Sequence, residues 1–222
     1  MSDQAVDQQA VDLQAVDLQA VDLQAVRAEL PLLTATPASW AELAASQLDE
    51  FLADHAVCEQ QAALFGLSLI GHYPDDDELV ERMGALAAEE VAHLRRVHGL
   101  LRQRGRTISR RRGNPWVQGL RQKVDKSNEH VLKVDRLMVG ALIEARSCER
   151  FSTLLATIHD SEPAVARLLQ DLGPAEKRHW QMFYRLAERE MAADQLAPRW
   201  QSWIEHEAEL SRRGGVQPTV HG

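Results

Sequence analysis

The sequence predicts an all-α fold, a four-helix bundle with a long basic crossover between helices two and three and a C-terminal extension. Three observations lead there. Long segments free of helix breakers fill residues 36–192, and the eight prolines and twelve glycines sit mostly between them. Glu-x-x-His occurs twice, at Glu90/His93 and at Glu176/His179, and each copy follows a helix carrying its own Glu. The two halves also echo each other locally, Ala56-Val57-Cys58-Glu59 in the first and Arg146-Ser147-Cys148-Glu149 in the second.

Taken in order, residues 1–35 form a low-complexity tail and linker. Residues 3–26 repeat a five-residue unit that ends as three copies of Asp-Leu-Gln-Ala-Val. A period of five keeps no residue on one helix face, so disorder or a frayed helix is expected, with no chemistry assigned. Arg27 to Ala35 reads as linker. Ser39 and Glu42 fit a capping box opening the first long helix, which runs to about Gly71. His72-Tyr73-Pro74 ends it, and the following aspartates cap a second helix over roughly Asp77 to Gln103. Gly105 to Pro115 reads as loop and Trp116 to Val124 as a short helix. The third long helix spans roughly Asn128 to Ile158, and Asp160-Ser161-Glu162-Pro163 caps the fourth, which ends near Ala192. The bundle thus occupies 36–192. Residues 193–222 are a C-terminal extension in which Pro198 interrupts the chain, Arg199 to Arg212 form a helix packing Trp200 and Trp203, and Gly214 onward is loose.

Bulk properties narrow the class. With 222 residues and 45% hydrophobic content, the chain can bury one good core. No apolar run approaches the ~20 residues needed to span a bilayer. The N-terminus lacks the charged-then-apolar layout of a secretory signal. Two cysteines at buried helical positions, Cys58 and Cys148, suit reduced thiols and a cytoplasmic location.

Residues three apart share a helix face, so Glu90 with His93, and Glu176 with His179, each point one carboxylate and one imidazole into an otherwise apolar stripe. Glu59, Glu90, His93, Glu149, Glu176 and His179 are the expected metal ligands, with Glu90 and Glu176 as bridges. Carboxylates buried in an apolar bundle need cations to offset them, and an oxygen-rich donor set suits iron or manganese. Glu144 competes for the third-helix position but lies five residues, about 140° of helix, before Glu149. The local match to Glu59 favours Glu149, leaving Asp54 and Glu144 as partners that orient the ligands. Glu89 is expected to face solvent, and His55, His72, His98, His130 and His159 to be ordinary histidines.

Charge is uneven. The chain carries a net charge of −8, yet Arg95 to Lys126 holds eleven Lys/Arg and a single acid, Asp125. Arg102, Arg104, Arg106, Arg110, Arg111 and Arg112 are candidate RNA-binding residues, because a polyanion would relieve their mutual repulsion. Trp116 is either a stacking surface for a base or a buried anchor.

At these residues a resemblance enters. Asp54-His55-Ala56-Val57-Cys58-Glu59-Gln60-Gln61-Ala62, the Glu90/His93 pair and, above all, Gly140-Ala141-Leu142-Ile143-Glu144-Ala145-Arg146-Ser147-Cys148-Glu149-Arg150-Phe151 resemble the tRNA-(2-methylthio-isopentenyl-adenosine) hydroxylases. The resemblance covers about residues 36–192. It implies a ferritin-like bundle, a non-haem di-iron centre of two iron ions, dioxygen as co-substrate, and hydroxylation of the isopentenyl side chain of a modified adenosine beside the tRNA anticodon. It also implies the tRNA anticodon loop and an external electron donor, a reductase or ferredoxin, as partners. The pentapeptide repeat has no counterpart in the resemblance. Two rival readings use the same ligands, a ferritin-like oxygenase or oxidase of a small molecule and an iron-storage bundle. A metal-free helical RNA-binding module would leave the duplicated ligands without a role.

Overall fold

The computed structural model describes residues 21–108, 113–214 and 217–221, all helical or irregular, with no strand among them. The helices are α1 (Leu23–Ala28), α2 (Ala38–Ser46), α3 (Leu48–His72), α4 (Asp77–Gln103), α5 (Pro115–Lys123), α6 (Glu129–Ile158), α7 (Pro163–Glu190) and α8 (Ala193–Arg213). Four of them, α3, α4, α6 and α7, form the bundle.

Capping explains several boundaries. Asp76 accepts from Leu79 N at the start of α4, Asn114 from Val117 N at α5, and Asn128 from His130 N and Val131 N at α6. Pro115 and Pro163 occupy the first helical positions of α5 and α7, where a missing N–H costs no intrahelical bond. The expected capping box at Ser39 does not form, because Ser39 lies inside α2 and Pro37 holds the cap position. The first long helix is also broken: Gln47 leaves helical geometry at φ −125°, ψ 45°, and separates α2 from α3. That turn lets α2 swing onto α6, where Trp40 and Phe51 meet edge to face at 6.2 Å. Pro198 does not interrupt the C-terminal segment. It sits inside α8, whose buried Leu196 and Trp203 hold the helix across the lost bond.

Helices α3 and α4 pack closely, as do α6 and α7, and α4 approaches α7. Across the remaining side no Cα of α3 comes within 8 Å of a Cα of α6. The two helices run antiparallel: Phe51 meets Phe151 at one end, and the Tyr73 hydroxyl donates to Glu129 at the other, at 3.0 Å. Side chains therefore fill this seam where backbones do not. His55 and Phe151 lie 4.5 Å apart there.

Parts of residues 21–35 and 217–221 pack against the bundle, against the expectation of a linker and a loose tail. Asp22, from the last copy of the repeat, caps α1 by accepting from Gln24 N and Ala25 N. The repeat copies before residue 21 lie outside the described residues. Leu30 is buried against Ala145 and Cys148 of α6. At the other end, Thr219, Val220 and His221 are buried in the α3/α6 seam. Asp54 accepts from Val220 N at 2.9 Å, and Arg150 donates to Val220 O at 2.8 Å. Helix α8 is tied to α6 through fully buried Asp135, which accepts from Arg199 at 2.6 and 2.7 Å and from the Trp203 indole at 3.0 Å. A buried carboxylate with that many donors is satisfied rather than stranded.

Candidate metal centre

At the middle of the bundle, Glu59 of α3, Glu90 and His93 of α4, Glu144 of α6, and Glu176 and His179 of α7 converge, all buried. They fall into two groups whose ligand atoms lie within 4.8 Å of one another: Glu59, Glu90, His93 and Glu176, and Glu90, Glu144, Glu176 and His179. The groups share Glu90 and Glu176, so those two carboxylates can each serve both. His93 Nδ1 stands 3.6 Å from Glu59 Oε2, 3.6 Å from Glu90 Oε2 and 4.0 Å from Glu176 Oε1. His179 Nδ1 stands 2.9 Å from Glu90 Oε1 and 3.8 Å from Glu176 Oε2.

Five of the six expected ligands thus meet, and Glu149 does not. It points about 140° away around α6 from Glu144 and lies among other partners. Thr36 N donates to Glu149 Oε1 at 3.0 Å, Arg27 Nε at 3.0 Å and Arg146 Nη1 to Oε2 at 3.2 Å, with the Thr36 hydroxyl also bonded to it. Burial would raise the Glu149 carboxyl, but the Arg146 charge and the Thr36 and Arg27 contacts hold it below the ordinary range. Spacing carries the signal that local similarity hid. Glu59 to Glu90 is 31 residues (90 − 59) and Glu144 to Glu176 is 32 (176 − 144), whereas Glu149 to Glu176 is 27 (176 − 149).

Two cations fit this cluster on three counts. His93 Nδ1, His179 Nδ1 and Glu90 Oε1 are buried and make no hydrogen bond of good angle, although His179 Nδ1 and Glu90 Oε1 stand 2.9 Å apart, and such atoms are rare in a folded interior unless something else engages them. Four carboxylates buried together at one point carry a negative charge that two dications would offset. Without them, burial and neighbouring carboxylates push Glu59 and Glu144 well above the usual carboxylate range. His179 responds in kind: burial would lower it, but Glu176 and Glu90 raise it to about 12. The cluster's field therefore favours positive charge.

Surrounding groups orient these side chains, and several differ from the sequence reading. Glu89 is only partly exposed and turns back to the cluster, its Oε2 3.1 Å from His179 Nε2 and its Oε1 3.9 Å from His93 Nε2. Arg178 donates to Glu89 at 2.9 Å from outside. His55, read as an ordinary histidine, is fully buried one turn before Glu59, and its Nε2 is bonded to Glu59 Oε1. Burial lowers the His55 imidazole to about 3, so it stays neutral beside Glu59. The signal available was its i, i+4 spacing on an apolar stripe. His221 bonds Ser147 Oγ at 3.1 Å and lies 3.9 Å from Cys58 Sγ; no local pattern marks it. Asp54 anchors the Val220 amide, with Cys58 Sγ 3.8 Å away.

The basic segment is partly neutralised. Arg104 donates to Asp49 and, at 3.0 Å, to Glu162, and Arg106 donates to Asp49 at 2.7 Å. Arg102 is exposed. Arg110, Arg111 and Arg112 lie outside the described residues. Trp116 is a buried anchor: its indole donates to Ser211 at 3.1 Å and its ring stacks on His221 at 4.9 Å, so no base can stack there.

A bundle of this topology around four carboxylates and two imidazoles belongs to the ferritin-like class. It superposes with a TM-score of 0.80 on a solved structure described as Protein 43 with aldehyde deformylating oxygenase activity from Synechococcus, 29% identical, covering 86% of this chain and 95% of that one. A sequence model of the tRNA-(MS[2]IO[6]A)-hydroxylase (MiaE) family matches residues 23–222, and the chain belongs to that family of tRNA-modifying enzymes. Among relatives, the tRNA 2-(methylsulfanyl)-N(6)-isopentenyladenosine(37) hydroxylase of Pseudomonas putida is 38% identical over 152 residues, 68% of this chain and 72% of that protein. The Salmonella typhimurium protein of the same name is 31% identical over 134 residues, 60% of this chain and 47% of that protein.

Proposed function

We propose that this chain hydroxylates the isopentenyl side chain of 2-methylthio-isopentenyl-adenosine beside a tRNA anticodon, as a non-haem di-iron monooxygenase using dioxygen. The observation that carries this reading is the pair of overlapping buried ligand groups joined at Glu90 and Glu176, in a chain of the MiaE family. Glu59, His93, Glu144 and His179 would each complete one side of the pair. Two iron ions held there would supply dioxygen activation and oxidation of a C–H bond.

The remaining work falls to the chain's own groups. His179 presents Nδ1 inward while its Nε2 lies 3.1 Å from Glu89 Oε2, which favours the tautomer in which Nδ1 carries a free lone pair; His93 turns its Nε2 toward the same carboxylate at 3.9 Å. His55 holds Glu59 by its second nitrogen. Phe51, Phe151 and the buried His221 close one end of the α3/α6 seam to water, and a dry site strengthens every charge interaction within it. The reaction also needs two electrons from outside, so a reductase or ferredoxin is the expected partner. No helix among the described residues is long and apolar enough to cross a membrane; we place the enzyme in the cytoplasm, with its tRNA substrate.

The decisive experiment compares nucleosides of tRNA from cells with and without the gene, complemented by wild type and by Glu90→Ala. Hydroxylated prenyl-adenosine should appear only with the wild-type chain. Its presence in the deletion strain, or its absence on complementation, would overturn the assignment.

A further inference from the structure

The α3/α6 seam is filled on one side of the ligand cluster and carries a groove on the other. Because the helices are antiparallel, Glu59 and Glu144 occupy the same level. One step toward the start of α3, at Cys58 and Ser147, His221 fills the gap. On the opposite side lies a groove of about 390 Å³, lined by Leu64, Phe65 and Val139 and rimmed by Arg121, Lys126 and Arg136. Leu64 follows Glu59 by five residues and Val139 precedes Glu144 by five, so the groove is offset from the carboxylates by about 7.5 Å along the helices and by about 140° around each.

We propose that this groove seats the modified base of a single-stranded RNA loop, with Arg121, Lys126 and Arg136 facing its phosphates. The inference rests on the tRNA reading above and assigns it a surface. Charge complementarity commits the occupant. An apolar floor beneath three cations suits a ligand with an alkylated base on a phosphate backbone. Leu64 is 51% exposed, an apolar side chain left open to water in the floor itself. Arg121 and Lys126 are exposed at the rim and form no ion pair among the described residues. Arg136 is fixed by donating to the Tyr73 hydroxyl at 3.1 Å. By contrast, Arg104 and Arg106 of the crossover are engaged by Asp49 and Glu162, which lowers what they can offer a phosphate.

The test uses the full iron-loaded chain and two synthetic anticodon stem-loops, one with prenylated and one with plain adenine. Arg121→Glu with Lys126→Glu should weaken binding of both loops at least about tenfold and lower the slope of log affinity against log salt by about 2, with iron content unchanged. Arg104→Ala with Arg106→Ala should stay within about twofold of wild type. Leu64→Trp, which fills the groove from an exposed position, should keep the affinity for plain loop but remove the preference for the prenylated one. If the crossover variant loses affinity and the rim variant does not, the RNA sits on the crossover and the proposal fails. A Leu64→Trp protein that still prefers the prenylated loop would remove the groove as the base's seat. A wild-type chain that binds neither loop would overturn both this surface and the tRNA reading beneath it.

Discussion

Glu89 Oε2 lies 3.1 Å from His179 Nε2, on the ring edge opposite the buried Nδ1 that faces Glu90 and Glu176. One partly exposed carboxylate thereby fixes which nitrogen of His179 is available inside, and its second oxygen approaches His93. Replacing Glu89 by Ala should lower iron affinity by about 10- to 100-fold, with Glu89→Gln in between. Competition against a chelator measures it. Equal affinity in all three proteins would show that the histidines need no outer carboxylate.

Glu144 and Glu149 separate cleanly by their expected effects. Glu144→Ala should abolish stoichiometric iron binding while leaving the fold intact, because it removes one of several mutually repelling buried carboxylates. Glu149→Ala should keep the iron but cost about 3 kcal/mol of stability, since Arg146 and the Thr36 amide lose a buried acceptor. Iron per chain and the urea midpoint, read on both variants, decide the matter. The reverse pattern would return Glu149 to the centre.

The same pair of residues sets a pH dependence. Glu149 has a folded-state value held below its ordinary one. Such a group adds stability above its unfolded value, about 4.3, and loses that contribution as pH falls through the folded value. The stability gap between wild type and Glu149→Gln should therefore be full at pH 7 and shrink below about pH 4. Denaturant titrations across that range check it; a gap that widened in acid would contradict the ion-paired state.

Gly140 of α6 faces the ring of Phe183, and a Cβ there would lie 2.9 Å from two of its carbons. Gly140→Ala should overpack this contact and destabilise by about 1–3 kcal/mol, also disturbing the Phe65–Phe183 pair, whose rings lie 5.9 Å apart. Thermal unfolding reads the effect. A neutral result would mean that α6 and α7 can move apart at little cost.

Burial pushes the Cys148 thiol up to about 12 and Cys58 well above its usual value. Since the thiolate is the reactive form, a thiol reagent at pH 8 should find neither cysteine rapidly in the native chain and both after denaturation. Fast native labelling of either would show that its helix opens.

How much of this was legible beforehand differs residue by residue. The Asp77–Gln103 helix is recovered to the residue from its proline-free run and its aspartate cap, because both signals are local. Glu90, His93, Glu176 and His179 share the inward face expected of them because i, i+3 spacing on a helix leaves their side chains little choice of face. Glu144 was displaced by Glu149 because the repeated Cys-Glu pair resembles a duplication. Which of two acids 140° apart faces inward depends on how α6 is rotated against its neighbours, and Thr36, Arg27 and Arg146 give Glu149 a rival environment. Nothing local distinguishes the two.

By itself, then, the sequence determined the four long helices, the duplicated acid-and-imidazole faces and the resemblance to a family of tRNA hydroxylases, since periodicity, caps and short motifs are properties of neighbouring residues. Only the tertiary structure decided the sixth member of the cluster, the roles of His55, Glu89 and His221, the burial of Trp116 and the docking of Leu30 and of Thr219 to His221. Those depend on helix rotation and on groups as far apart as Asp54 and Val220, whose meeting is set by packing the whole chain.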